Sequence, residues 1–340
     1  MIDLVVAGGG PAGLATAIHG ARAGLDVVVI EQRTGPVDKA CGEGLMPHAV
    51  RQLDLLGAHP AGRAFHGVSY FDDRRCVTAQ FGSGAGLGVR RKTLHEALLQ
   101  QAAAAGVSLV HAKVDGFDQD GESVTVNGIR ARYLAAADGL HSPIRAGLGL
   151  GLPAGGTRRW GIKRHIAVAP WSDRVEVHWS VDPEAGEAYV TPVADDCVGI
   201  AILTSRQGRF ERHLDAFPAL RERIDGHAHE PDRAAGPLRQ QVRSRVAGRV
   251  LLVGDAAGYV DALTGEGLGL AFAASRLLVD CVVADRPDDY ERRWRRATRR
   301  YRWMTTGVLS ASTSPLRSLV VPAAHRLPRV FTGMVNLLAE

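Results

Sequence analysis

Three groups of residues in this chain could do chemistry. The first is a glycine run, Gly8-x-Gly10-Pro11-Ala12-Gly13, with Glu31 placed 18 residues past its last glycine. The second is a pair of aspartates that each close an apolar run, Asp138 in "YLAAADGLHSPIRAGLG" and Asp255 in "GRVLLVGDAAGYVDALTGEGLGLAFAAS". The third is the loop "DKACGEGLMPHAV", residues 38–50, where Cys41 and Glu43 alternate with Gly42 and Gly44. Glycines that let a backbone close on a pyrophosphate, followed by an acid that accepts hydrogen bonds from a ribose diol, are the parts of a dinucleotide site. The loop's thiol and carboxyl are groups whose chemistry is set by their local pKa.

These groups need elements to hold them. "LVVAGGGPAGLATAIHGARAGLDVVVIEQR" reads as strand, turn, helix, strand. Leu4–Ala7 is a buried strand, Leu14, Ala17, Ile18 and Ala21 repeat at helical spacing, Gly24 stops the helix, and Leu25–Ile30 is the second strand ending at Glu31. The helix start offers free N–H groups and a positive dipole end to phosphates. Val250–Val253 is another buried strand, and a second glycine-rich helix start follows it at Gly265-Glu266-Gly267-Leu268. An aspartate at the carboxyl end of a parallel strand points into the ligand crevice of a doubly wound sheet. "GVRRKTLHEALLQQAAAAGV" predicts a helix with a Thr93/Glu96 capping box and a stop at Gly106.

In this order and spacing the motifs resemble the p-hydroxybenzoate-hydroxylase-type superfamily of FAD-dependent oxidoreductases. The Cys-Gly-x-Gly loop resembles its geranylgeranyl-reductase-like branch. The resemblance implies non-covalent FAD held by Gly8, Gly10, Pro11, Ala12, Gly13, Glu31, Arg33, Cys41, Gly42, Arg91, Val114, Asp138, Asp255, Gly265, Gly267 and Leu268. Val114 would hold the adenine from a strand pair, and the helix start after Gly265 would face the flavin N1–O2 edge. The resemblance lays this loop against the flavin, so Cys41, as a neighbour that tunes the polarity of the ring, and Glu43, as a proton donor near flavin N5 or the substrate, become the candidate catalytic residues. Ala262 stands where many relatives have proline. The implied activity is NAD(P)H-driven monooxygenation of a hydrophobic aromatic or quinone-type molecule through a flavin C4a-hydroperoxide. Its alternative is reduction of isoprenoid or quinone C=C bonds, with a halogenase or a non-catalytic FAD module behind both.

The expected architecture is α/β: a Rossmann-like FAD-binding domain (residues 1–62, 88–157 and 240–286), an interleaved antiparallel-sheet substrate domain (63–87 and 158–239) and a helical C-terminal region (287–340). In the substrate domain, "EAYVTPV" resembles a strand with which that family lines its substrate pocket, which implies Tyr189 and Pro192 there, with His178 on a neighbouring strand. Residues 206–223 predict a helix, and 224–237 a loop.

Composition narrows the classes. A net charge of +5 suits a phosphate-bearing ligand and is too mild for nucleic acid. Four scattered cysteines without a CxxC argue against zinc and disulfides and for a reducing cytoplasm. His227 and His229 lack partners for a metal site, and no metal is expected. The N-terminus reads as a strand and not a signal peptide, and the apolar run 267–284, broken by Arg276 and Asp280, reads as a packed helix. Residues 288–303 predict a helix with Tyr290, Trp294, Ala297 and Tyr301 on one face and seven arginines on the rest. That basic face would meet solvent, an acidic carrier protein or an anionic membrane. A monomer acting on a small hydrophobic substrate is expected.

Overall fold

The computed structural model describes residues 1–153 and 155–340. Its first sheet grows from the apolar runs. Five parallel strands lie in the order Val250–Leu252, Ile129–Ala136, Ile2–Ala7, Val27–Glu31, Ser108–His111. The central ones are almost entirely apolar because both faces are covered. Val246–Ala247 adds antiparallel to Val250–Leu252, and Val124–Val126 with Phe117–Gln119 adds antiparallel to Ile129–Ala136. On one face the helices Gly267–Val283 and Asp288–Ser312 bring Leu278, Val282, Tyr290 and Trp294 onto the strands. A second cluster joins the helices Pro11–Arg22, Pro47–Leu55 and Arg91–Ala104 through Leu14, Ile18, Leu53, Leu94 and Leu98.

The second sheet has seven strands in the order Arg233–Ala235, Trp160–Ile166, Cys197–Thr204, Glu187–Ala194, Val175–Trp179, Gly67–Phe71, Cys76–Gln80. It is antiparallel except where Val175–Trp179 runs parallel to Gly67–Phe71, a pairing that the expectation of a purely antiparallel sheet missed. That pair joins two segments far apart in sequence, so no hairpin turn announces it. The short helices Phe210–Leu214 and Pro218–Ile224 cover one face; Pro218 splits the single helix expected over 206–223. The strand Arg233–Ala235 lies inside the stretch expected as loop. The helices Val320–Arg326 and Pro328–Ala339 cover part of the other face. A three-stranded sheet, Gly44–Leu45, Gly86–Gly88 and Arg63–Phe65, lies between the layers.

The basic helix runs further than expected, to Ser312. The helix Arg91–Ala104 starts two residues before Thr93, and its N-cap Arg90 makes no side-chain cap bond, so the Thr93/Glu96 capping box does not form. No helix among the described residues is long and apolar enough to cross a membrane.

Candidate functional site: a cofactor cleft at the carboxyl edge of the parallel sheet

The parallel strands all point their carboxyl ends to one edge. Gly8 follows Ile2–Ala7, Glu31 ends Val27–Glu31, Val114 follows Ser108–His111, Asp138 follows Ile129–Ala136 and Asp255 follows Val250–Leu252. Topology therefore gathers residues that the chain separates by more than two hundred positions. Val114 sits in the connection between Ser108–His111 and Phe117–Gln119, and not within a strand pair as expected.

The glycine turn is built as a cradle. A Cβ at Gly13 would lie 1.9 Å from the Gly8 carbonyl oxygen, so only glycine lets the helix Pro11–Arg22 start this close to the strand. The N-cap Gly10 has no side-chain cap, which leaves the first-turn amides of Ala12 and Gly13 facing the cleft without side-chain partners. Glu31 takes the Gly9 N–H on Oε2 at 2.8 Å and the Arg33 N–H on Oε1 at 2.9 Å. It thus shapes the turn as well as offering its remaining lone pairs to a ribose. Arg33 is exposed beside it.

A residue the sequence reading passed over pins the turn from the other side. His95 is buried, its Nε2 donating to the Gly9 carbonyl at 2.6 Å and its Nδ1 accepting from the Val37 N–H at 3.0 Å. Burial depresses its pKa, so the ring is neutral in that tautomer. The only signal in the sequence was its spacing, one helical turn after Arg91 on the same buried face. Arg91 itself is 5% exposed, and its Nη1 has no partner within the protein.

The two aspartate motifs are tied together. Arg145 is buried; its guanidinium donates to the carbonyls of Leu140, Asp255 and Ala256 and to Gln240 Oε1. Asp138 accepts the Ile144 N–H on Oδ2 at 3.0 Å, while Oδ1 is buried without a partner; burial raises its carboxyl pKa. Asp255 opens into the cleft but has protein mass around it, and this desolvation raises its carboxyl, opposed by Lys39 and Arg91. Lys39, missed in the sequence, reaches the same cleft from the Cys41 loop, and desolvation lowers its ammonium.

The loop of residues 38–50 behaves differently from its expected role. Glu43 is 3% exposed and sits at φ 60°. Its Oε1 accepts the Arg91 N–H at 2.7 Å and Lys163 Nζ at 2.6 Å, and its Oε2 pairs with His165 Nε2 at 2.6 Å. Burial alone would raise its pKa. His165 and Lys163 outweigh that, and the carboxyl is held below its usual range. Glu43 is therefore a clamped carboxylate, and the expectation of a proton donor is corrected: three donors satisfy its charged form. The network extends through Lys163 to Asp38 and through His165 to Glu230, which also pairs with Arg90. It bolts the loop to the second sheet. Cys41 Sγ accepts the Glu43 N–H at 3.4 Å, and burial together with the Glu43 charge raises its thiol, so it is a neutral wall of the cleft rather than a thiolate. The Gly42 carbonyl is fixed by Thr191 Oγ1 at 2.8 Å.

Strand alternation separates the expected substrate residues. Tyr189 pairs with Val177 and lies on the face that meets Tyr70 and Phe331, with its hydroxyl donating to the Leu263 carbonyl at 2.9 Å. His178 and Pro192 are on the opposite face, His178 stacked on Phe71 and bonded to Glu176. They do not share a pocket wall with Tyr189, and their assignment to one is corrected.

At the second helix start, Gly265 has φ 69° and the helix Gly267–Val283 begins with Gly267 and Leu268, with no acid in its first turn. Its N-cap, Glu266, is a buried carboxyl 3.4 Å from His48 Nε2. Distance alone suggests an ion pair. Burial, however, drives Glu266 up to about 8 and His48 down to about 4, so both are neutral at pH 7. Glu266 Oε1 and both ring nitrogens of His48 are buried without a hydrogen-bond partner.

A family described as FAD binding domain matches residues 1–280. The chain belongs to that family. It is an FAD-dependent oxidoreductase. Among curated proteins it is 28% identical to menaquinone reductase of Mycobacterium tuberculosis over 82% of this chain and 76% of the relative. It is 29% identical to digeranylgeranylglycerophospholipid reductase 1 of Methanopyrus kandleri over 86% of this chain and 85% of the relative. The fold matches a flavoprotein/dehydrogenase from Cytophaga hutchinsonii with a TM-score of 0.85 at 18% identity, covering 99% and 92% of the two chains. It also matches the flavin-dependent brominase Bmp2, with a TM-score of 0.82 at 16% identity over 99% and 93%.

The cleft fits FAD on its own evidence. The glycine cradle, the partnerless Arg91 Nη1 and the partnerless Asp138 Oδ1 are donors and an acceptor that the protein leaves unpaired. Buried polar groups in that condition are costly unless a ligand takes them up.

Proposed function

We propose that this FAD-dependent oxidoreductase reduces a C=C bond of a quinone or isoprenoid small molecule, with NAD(P)H as the electron source. The supporting observation is that relatives at 28–29% identity over more than four-fifths of the chain are quinone and isoprenoid-lipid reductases. Flavin halogenases resemble it in fold alone. The Cys41-Gly42-Glu43-Gly44 loop agrees with that reading.

Bound FAD would supply the two-electron redox chemistry. The protein's own residues hold and screen it. Ala12 and Gly13 amides would take the diphosphate, and Glu31 the ribose. Arg91, Asp138 and Asp255 would bind the polar middle of the cofactor without a covalent bond. The first-turn amides at Gly267 and Leu268 would support negative charge on the flavin. Cys41 stays a thiol and Glu43 a carboxylate, so neither attacks the substrate. Tyr189, Tyr70 and Phe331 pack on one another beneath the helix Pro328–Ala339.

The test is product mass under two atmospheres. The yellow protein, reduced anaerobically with dithionite or NADPH and given a short-chain menaquinone or prenyl substrate, should add two hydrogens without oxygen. A product formed only in air and gaining one oxygen would make the protein a monooxygenase instead. Flavin released intact by acid or heat checks the non-covalent attachment.

A further inference from the structure

The C-terminal region carries an unusual distribution of charge. Between residues 292 and 339 there are ten arginines (292, 293, 295, 296, 299, 300, 302, 317, 326 and 329) and no Asp or Glu. Arg317 is buried in a structural cluster with Glu187. Arg292, Arg293, Arg295, Arg296, Arg299, Arg300 and Arg302 project from the exposed side of the helix Asp288–Ser312. Arg299 and Arg302 have no acidic partner among the described residues.

Beside this basic face lies an exposed apolar row. Leu327, Val330, Met334 and Leu337 are 57%, 56%, 47% and 43% exposed. Their spacing of three and four places them on one stripe of the helix Pro328–Ala339 and its cap. The stripe is not the packing face: Val335 and Ala339 turn inward and are buried against the strand Cys76–Gln80 and its neighbours. Arg300 donates to the Leu337 carbonyl, so basic helix and apolar stripe belong to one continuous surface. Trp303, 77% exposed, stands one turn along from Arg300.

We propose that this surface docks the protein peripherally on an anionic lipid bilayer. The apolar stripe would enter the boundary between headgroups and acyl chains, Trp303 would sit at headgroup level, and the arginines would meet the lipid phosphates. Charge decides for this occupant. A second copy would bring the same arginine field against itself, whereas an anionic membrane complements it. Docking would also place a cavity of about 760 Å³ at the bilayer. Arg299, Arg302 and Trp303 stand at it, and Asp255 and Gly267 of the cofactor cleft lie on its wall. A lipid-soluble substrate would then have a path from membrane to cleft.

The test is co-sedimentation of the FAD-loaded full chain with vesicles, a readout independent of turnover. Vesicles of phosphatidylcholine with about one-third phosphatidylglycerol should bind the protein, and phosphatidylcholine alone should bind it at least tenfold more weakly. Val330→Glu with Met334→Glu should lower the partition at least tenfold, as should Arg299→Glu with Arg302→Glu, each with flavin content unchanged. Raising salt should release the wild-type protein. No binding by wild-type protein, equal binding to neutral vesicles, unchanged binding by the stripe variant, or a dimer that the stripe variant dissolves would each overturn the proposal. Because binding is scored without substrate, failure here and failure of the reductase reading are separate results.

Discussion

The neutral pair at the second helix start makes a quantitative claim about stability. Glu266 has a folded pKa of about 8 against an ordinary value of 4.5. A raised carboxyl pKa means that its contribution is fully present below pH 4.5 and is lost as pH climbs through 8. At 1.36 kcal/mol per unit, the loss between pH 5 and pH 8 comes to about 3.5 kcal/mol. His48 works in the opposite sense: its pKa falls from 6.5 to about 4, so its contribution is present above 6.5 and is lost as pH falls toward 4. Between pH 8 and pH 5 that removes about 2 kcal/mol. The two slopes partly cancel in the wild-type curve, which conceals both. Glu266→Gln keeps shape and polarity but cannot ionise. Urea unfolding of variant and wild type, at matched FAD and at pH 5, 6, 7 and 8, isolates the acid. The variant should gain on the wild type by about 3.5 kcal/mol from pH 5 to pH 8. A difference that stays flat within about 0.5 kcal/mol would show an ordinary, ionised carboxylate paired with a charged His48, and the argument from burial would be wrong.

Other perturbations follow from the same geometry. Glu43→Gln strips the carboxylate from Lys163 and His165, both buried, and should cost about 3–5 kcal/mol in chemical unfolding, with Lys163→Met in the same chain recovering a large part. Gly269→Ala puts a Cβ 2.0 Å from His48 Nε2; it should lower thermal stability by about 1–3 kcal/mol, and His48→Ala should restore it, because the clash is with the end of one side chain. Gly13→Ala meets backbone instead, and no partner change should rescue its flavin binding, read as loss of yellow colour. Arg91→Met should weaken FAD at least tenfold by fluorescence titration, a loss of about 1.4 kcal/mol or more.

The cofactor half was legible because its signals are local. A strand, a glycine turn, a helix and an acid lie within thirty residues, and parallel topology then fixes where the remaining strand ends must fall. What the sequence hid was long-range or parity-dependent. His95 looks like an ordinary helix residue until Gly9 is placed against it. His178 and Tyr189 look equally suited to a pocket wall, but their register assigns them opposite faces. Glu43 looked like a loop acid, because its partners Lys163 and His165 come from a strand more than one hundred residues away. Pro218, by contrast, was a local signal left unused.

The fate of Glu43 also bears on how the cleft can work. A glycine-rich loop passing a cofactor would be expected to move, yet this one is anchored at the centre of a buried ion network. Glu43 ties it to Arg91 in the cofactor layer and to Lys163 and His165 in the second sheet. Thr191 holds the Gly42 carbonyl, and Cys41 is set against the Glu43 amide. Such a network is worth little as net stability, since desolvation consumes most of the attraction. Its effect is geometric: the two layers are fixed in one relative position. Near the helix start, Glu266 and His48 lie 3.4 Å apart and both are neutral. If a reduction at this site needs a proton from the protein, Glu266→Gln should slow turnover with solvent-exchanged protons while leaving flavin reduction by dithionite untouched. Equal effects on both steps would place the acid in cofactor binding instead.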